Sequence, residues 1–234
     1  MSAFFTLHRD LPREGPGEPA DVEWTLSWMA EPARVCDAAC GPGADLEVLA
    51  GALPRAQIDG VDRQAHFIAQ ARARVARFGP RVALFTQDYA GIRGPYDLIW
   101  CAGAVYFIGI ETALRTWRAA LAPGGHVAFS EPVWLGETPS AAARSFWSEY
   151  GGITGAAGIA DRVARAGFRT VATRVICGPP WQAYYQPLQA RILQLGSLDD
   201  AALGAVLDEA QREIDLWHVC GDEIAYLLSV VAPA

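Results

Sequence analysis

Val35-Cys36-Asp37-Ala38-Ala39-Cys40-Gly41-Pro42-Gly43-Ala44-Asp45 is the stretch that decides how this chain folds. It sits where a first short apolar strand turns into a first helix. Glycines in such a turn let backbone approach a ligand closely, and the helix N-terminus behind them favours a negative group. Working outward, Gln57-Ile58-Asp59-Gly60-Val61, Val82-Ala83-Leu84-Phe85, Asp97-Leu98-Ile99-Trp100 and Val127-Ala128-Phe129 are strand-length apolar runs. Their two-sided apolar character suits a parallel sheet covered on both faces. Between them, Phe67, Ile68, Ala71, Val75 and Phe78 recur at helical spacing, as do Leu114, Trp117 and Leu121 before Pro123-Gly124-Gly125. Strands and helices alternating in this order predict an α/β fold with right-handed crossovers.

Beyond Glu131 the rhythm changes. Residues 140–150, 159–166 and 199–216 read as helical. Val171, Thr173 and Val175 alternate with Ala172 and Arg174 as a half-exposed strand near a sheet edge, and the run 224–231 closes the sheet. Cys177-Gly178-Pro179-Pro180 reads as a loop leading to Trp181 and the Tyr184-Tyr185 pair. Pro12 to Pro19 holds three prolines and two glycines, the composition of a loop or a disordered arm.

Composition narrows the chemistry. The chain has 234 residues, net charge −7, 52% hydrophobic and 19% charged residues, enough for a sizeable core in one domain. All 19 cations are arginine; lysine and asparagine are absent. That excludes a pyridoxal Schiff base, a lysine nucleophile, a Walker phosphate lysine and the kinase ATP lysine. The acidic balance argues against a nucleic-acid partner, and no eighteen-residue apolar run predicts a membrane span. Residues 1–10 do not read as a signal peptide, and the five cysteines lack a C-x-x-C pair. A soluble cytoplasmic protein with reduced thiols and no metal site is the expectation. G-x-S-x-G and H-E-x-x-H motifs are absent as well.

The glycine turn departs from the dinucleotide-binding G-x-G-x-x-G, because position 46 is leucine. Asp37 stands at the strand end before the turn. A carboxylate there repels a pyrophosphate but suits a ligand with an ammonium and a sulfonium, which moves the cofactor from NAD toward S-adenosylmethionine. Asp62 follows Gly43 by 62 − 43 = 19 residues, near the usual gap of about 20 to the acid that holds a ribose diol. Asp88, after the third strand, is placed to accept from an adenine amine, with Arg63 or Tyr89 over the ring.

In this order of motifs the chain resembles the class I S-adenosylmethionine-dependent methyltransferases. The family pattern V-L-D-x-G-C-G-x-G is matched by Val35 to Gly43, with Gly41 in place and Ala39 at its first glycine. The ribose acid is matched by Asp62, the adenine-side acid by Asp88, the fourth-strand motif by Tyr96 to Trp100, and L-x-P-G-G by Leu121 to Gly125. A bacterial small-molecule subgroup is matched by Arg13-Glu14-Gly15-Pro16-Gly17, Gly103-Ala104-Val105-Tyr106, Ser130-Glu131 and Trp181 to Leu188. The resemblance implies a Rossmann-like fold with a seven-stranded, mostly parallel sheet and helices on both faces. It implies an N-terminal arm or lid at 1–20, a cofactor-binding core at 33–131 and a substrate-side half at 132–234, all in one domain. It also places Cys101, where relatives read S-E-G-A from that position, beside the cofactor.

In-line methyl transfer needs positioning and a dry pocket more than a covalent intermediate. Glu131, at the carboxyl end of the fifth strand, is the candidate substrate anchor or base, or a structural acid bonding nearby amides. Tyr106 is the candidate lid or hydrogen-bond donor, or ordinary packing. Trp181, Tyr184 and Tyr185, with Trp134, form a candidate aromatic wall for a small-molecule acceptor, or a packed helix face. Arg13 reaches the cofactor or an acceptor carboxylate if the Pro/Gly arm folds over the site. Two other functions remain open at this point, an NAD-dependent oxidoreductase and a non-catalytic S-adenosylmethionine-binding protein. Ala39 is tolerable in the turn while its φ stays negative.

Overall fold

A computed structural model describes residues 2–234. Seven strands form one sheet: β1 (Arg34–Ala38), β2 (Gln57–Asp62), β3 (Val82–Thr86), β4 (Tyr96–Cys101), β5 (Leu121–Trp134), β6 (Phe168–Ile176) and β7 (Ile224–Pro233). Their spatial order is β3-β2-β1-β4-β5-β7-β6. The first five pair in parallel, and β7 runs antiparallel between β5 and β6. This is the α/β sheet that the alternation of apolar runs predicts, in the Rossmann-like, mostly parallel form that the resemblance implies. The order reverses between β1 and β4, so a crevice opens at the carboxyl ends of those strands, where such sheets bind ligands.

Successive strand residues point to opposite faces, and the core divides accordingly. Val35, Ile58, Leu98, Trp100, Leu228 and Val230 pack on one face under α3 (Ala44–Ala52), α8 (Pro179–Leu195) and α9 (Ala201–Cys220). Cys36, Ile99, Cys101, Val127, Phe129 and Leu227 pack on the other under α5 (Ile110–Trp117) and α7 (Ala156–Arg165). Two interior indoles are satisfied by backbone, Trp117 Nε1 donating to Tyr89 O and Trp181 Nε1 to Ile176 O, both at 2.8 Å.

Three local expectations are revised. The loop expected over Cys177 to Pro180 ends early, because Pro179 and Pro180 already form the first turn of the helix α8, whose N–H groups have no intrahelical acceptor, and Trp181, Tyr184 and Tyr185 lie on that helix. The fifth strand starts at Leu121, upstream of the predicted Val127, with a register irregularity opposite Tyr96/Leu98. The N-terminal stretch carries two helices, α1 (Ala3–Leu7) and α2 (Pro19–Leu26), with a held loop between them. Leu7 and Leu11 are buried, Arg191 donates to Thr6 O at 3.1 Å, and Arg74 to Pro12 O at 2.7 Å. Among the described residues no helix is long and apolar enough to cross a membrane.

Candidate active site

The turn after β1 is built from left-handed residues, Ala39 at φ 61°, Gly41 at 52° and Gly43 at 86°. The positive φ at Ala39 departs from the expectation for an alanine there. A side chain at position 43 would place its Cβ 2.9 Å from the Cβ of Ala71, so Gly43 lets α3 pack on α4 (Ala65–Val75). Asp62, at the end of β2, holds the turn in place. Its Oδ2 accepts the Gly41 N–H at 2.9 Å and its Oδ1 the Gln64 N–H at 2.8 Å.

Above this turn lies a cavity of about 740 Å³. On the β1–β2 side its wall includes Asp37, Ala39, Gly41, Asp62, Arg63 and Tyr89; on the β7 side it includes Tyr106, Trp147, Trp181, Tyr184, Tyr185 and Tyr226. Phe4, Phe5, His8 and the loop Arg13–Pro16 bound it from the N-terminal stretch. Arg13 pairs with Asp45 at the start of α3, and Asp45 also accepts from Trp100 Nε1 at 3.2 Å. His8 Nδ1 meets Glu14 Oε2 at 2.7 Å.

The electrostatics point to a cation at one place in this wall. Asp37 is 3% exposed, and its Oδ2 is buried with no hydrogen-bond partner. Burial pushes its carboxyl up, and the neighbouring Asp45 and Asp62 push it further, opposed by Arg13. An ammonium set against Asp37 satisfies the orphaned oxygen and offsets that cost, so an S-adenosylmethionine-like ligand fits the donor set. A pyrophosphate meets three carboxylates here and does not.

The remaining predicted residues fall in several places. Asp88 has a side chain 53% exposed, accepts the Ala90 N–H at 2.8 Å, lies 3.8 Å from Arg63, and is not in the cavity wall. Tyr89 is in the wall and donates to Ala104 O at 3.2 Å. Cys101 is fully buried in the core; Ala102, Gly103 and Ala104 after it form the wall. Trp134 lies outside the wall and donates to Ile153 O at 3.2 Å. Glu131 is also outside it, 6% exposed, with Oε2 unpartnered and its carboxyl pushed up to about 8 by burial, against the pull of Arg162. Gly103 N–H donates to Ser130 Oγ at 2.8 Å, which ties the β4 turn to β5.

Sequence reading missed Trp147, Tyr150 and Tyr226 and the carboxylates Glu14, Glu149, Glu209 and Glu213, all of which line the cavity. One signal was available. Glu213 lies three residues after Ala210, one residue from the apolar stripe of α9.

Comparison with known proteins shows what these features are similar to. Residues 35–125 match the methyltransferase domain model. A trans-aconitate 2-methyltransferase of Streptomyces avermitilis is 34% identical over 110 residues, 44% of this chain and 40% of that protein. The chain thus spans about two fifths of the length of the curated relatives it matches. Among solved structures, a methyltransferase of Geobacter sulfurreducens in complex with S-adenosylhomocysteine superposes with TM-score 0.87 at 20% identity, over 99% of this chain and 98% of that one. Another, from Thiobacillus denitrificans and also in complex with S-adenosylhomocysteine, gives 0.86 at 17% identity over all of both chains. Residues 35–125 are thus similar to the methyltransferase domain family, and by its glycine turn and strand order the chain shares the fold of these S-adenosylhomocysteine-bound structures.

Proposed function

We propose that the chain transfers a methyl group from S-adenosylmethionine to a small-molecule acceptor held in the same cavity. The observation that carries this reading is the buried, unpartnered carboxyl oxygen of Asp37 in the wall, beside the glycine turn and facing one continuous space with an aromatic far side. S-adenosylmethionine, when bound, supplies an electrophilic methyl carbon on a sulfonium. Asp37 is the residue to hold its ammonium, and Asp62 has lone pairs left for the ribose hydroxyls. Tyr89 and Arg63 flank the adenine side. The aromatic residues of the far side exclude water from the acceptor, and Tyr106 is the group closest in role to a lid. Glu131 lies behind the wall, near Tyr106 and Cys101, and its raised carboxyl keeps a proton there at neutral pH.

The net charge of −7 and the acidic wall favour a small acceptor over a nucleic acid. Buried thiols at Cys36, Cys40, Cys101 and Cys220 fit a reducing, cytoplasmic setting. Calorimetric titration with S-adenosylmethionine, S-adenosylhomocysteine and NADH is the first test. Binding of the first two without NADH is expected, and binding of NADH alone overturns the reading. A tritium-methyl transfer screen against amines, phenols, thiols and carboxylic acids, trans-aconitate among them, then asks for turnover. Tight cofactor binding with no transfer to any class would favour a non-catalytic binding protein.

A further inference from the structure

The acceptor side of the cavity has a charge pattern of its own. Among the described residues, seven carboxylates line the cavity against three arginines and His8. Arg13 is paired with Asp45 and His8 with Glu14, while Arg63 faces Asp88. Arg212 remains, on α9 beside Glu209 and Glu213. A carboxylate entering this space meets more acids than free cations. Glu213 is the central one. Its Oε1 accepts the Tyr185 O–H at 2.8 Å, the carboxyl is open to the cavity, and its charge reaches Tyr150, Tyr184 and Tyr185. Loss of bulk solvent around it pushes its carboxyl up, so an incoming cation relieves an existing cost.

The rings that line the same cavity supply the second half of the pattern. Tyr106 stands edge-on to Tyr150 at 4.9 Å and near-parallel to Tyr226 at 6.3 Å; Trp147 and Trp181 lie 5.9 and 5.1 Å from Tyr226. Aromatic faces attract a cation through their quadrupole, most strongly where water is excluded.

We infer that the acceptor carries an amine, and that Glu213, together with the rings of Tyr106, Tyr150 and Tyr226, selects it by its ammonium group. The inference rests on the methyl-transfer reading above, because it takes this space as the acceptor compartment. Glu213 is then a specificity residue, the handle for the ammonium and not the group that reacts.

Three probes with one ring and different ends test it: tyramine, 4-hydroxyphenylacetate and 4-hydroxyphenylethanol. Each is titrated calorimetrically into the full chain, with and without saturating S-adenosylhomocysteine. Tyramine is expected to bind at least about tenfold more tightly than either other probe, and Glu213→Gln to remove that preference. S-adenosylhomocysteine affinity, measured on the same variant, is expected to stay unchanged and reports that it is folded. Tighter binding of the acetate, a preference that survives Glu213→Gln, or no tyramine binding at all would each overturn the inference. Tyramine selectivity through Glu213 in a chain that does not bind S-adenosylhomocysteine would instead keep the amine site and remove the methyl-transfer reading.

Discussion

Ala39 carries a left-handed φ of 61° in the turn that defines the site. An L-residue with a Cβ loses roughly 1–2 kcal/mol in that conformation, whereas glycine adopts it freely. Glycine also loses more entropy on folding, about 0.4–1 kcal/mol, so the two effects partly offset. Ala39→Gly is therefore expected to raise stability by about 0.5–1 kcal/mol in urea denaturation, with S-adenosylhomocysteine affinity equal or tighter; a loss of stability would mean that the turn is not left-handed at 39. Glu131 makes the opposite kind of contribution. An unfolded glutamate ionises near 4.3, whereas burial pushes this one up to about 8. Between those values the folded chain keeps a proton that the unfolded chain has released. Stability then falls as pH rises through that window, by up to about 1.4 kcal/mol per unit, and the loss is complete above pH 8. Glu131→Gln should flatten this slope. Urea midpoints at pH 5, 6.5 and 8 that still fall in parallel with wild type would place the titrating group elsewhere.

The N-terminal loop is fastened to the cofactor side by Arg13, which pairs with Asp45 at the first turn of α3. Removing that guanidinium frees the loop and also takes away the one cation that opposes the raised carboxyl of Asp37. Arg13→Ala is expected to weaken S-adenosylhomocysteine binding by roughly five- to tenfold and to speed proteolytic cleavage between residues 9 and 18, since both losses disfavour a closed, charged site. Unchanged cleavage and affinity together would leave Arg13 a surface residue. The strap itself was the least legible element. Ala3–Leu7 is one turn and a half of helix, too short for periodicity to register, and it is held by contacts with α8 and α9 remote in sequence. The start of α8 was hidden for another reason: Cys177-Gly178-Pro179-Pro180 reads as a loop, although the two prolines occupy positions where no N–H is missed. By contrast, β1 to β4 and the Val127 to Phe129 part of β5 are apolar runs, and those could be read locally. The site divides along the same line. Asp37, Gly41 and Asp62 were legible because their spacing lies within one strand-turn-helix unit and its successor. Tyr150, Tyr226 and Glu213 were not, because β7, α9 and the segment after α6 (Ala141–Phe146) meet only in the folded chain.

At the scale of the molecule, the site is also part of what holds the sheet's carboxyl edge together. Asp62 joins the end of β2 to the turn after β1 through Gly41 and to the start of α4 through Gln64. Two bonds from backbone N–H groups to a carboxylate are worth about 1.5–3 kcal/mol each when lost from a buried place. A ligand that binds only the folded chain adds to this by mass action, about 2.7 kcal/mol at a hundredfold excess over its dissociation constant. For a domain of this length each kcal/mol moves the melting temperature by about 2–4 °C, so S-adenosylhomocysteine at that excess should raise it by about 5–10 °C. In Asp62→Ala the two contributions part company. The free protein should melt several degrees lower, because the turn has lost its latch, and the ligand-induced rise should disappear if Asp62 is the ribose acid, as proposed. A variant that melts lower yet keeps the full rise would make Asp62 a latch alone and move the ribose to another carboxylate of the wall. Asp62→Asn sharpens the distinction: its single amide oxygen can retain one of the two backbone bonds, so the melting temperature should recover part of the way. If the negative charge is what holds the diol, the ligand-induced rise should stay absent in that variant too.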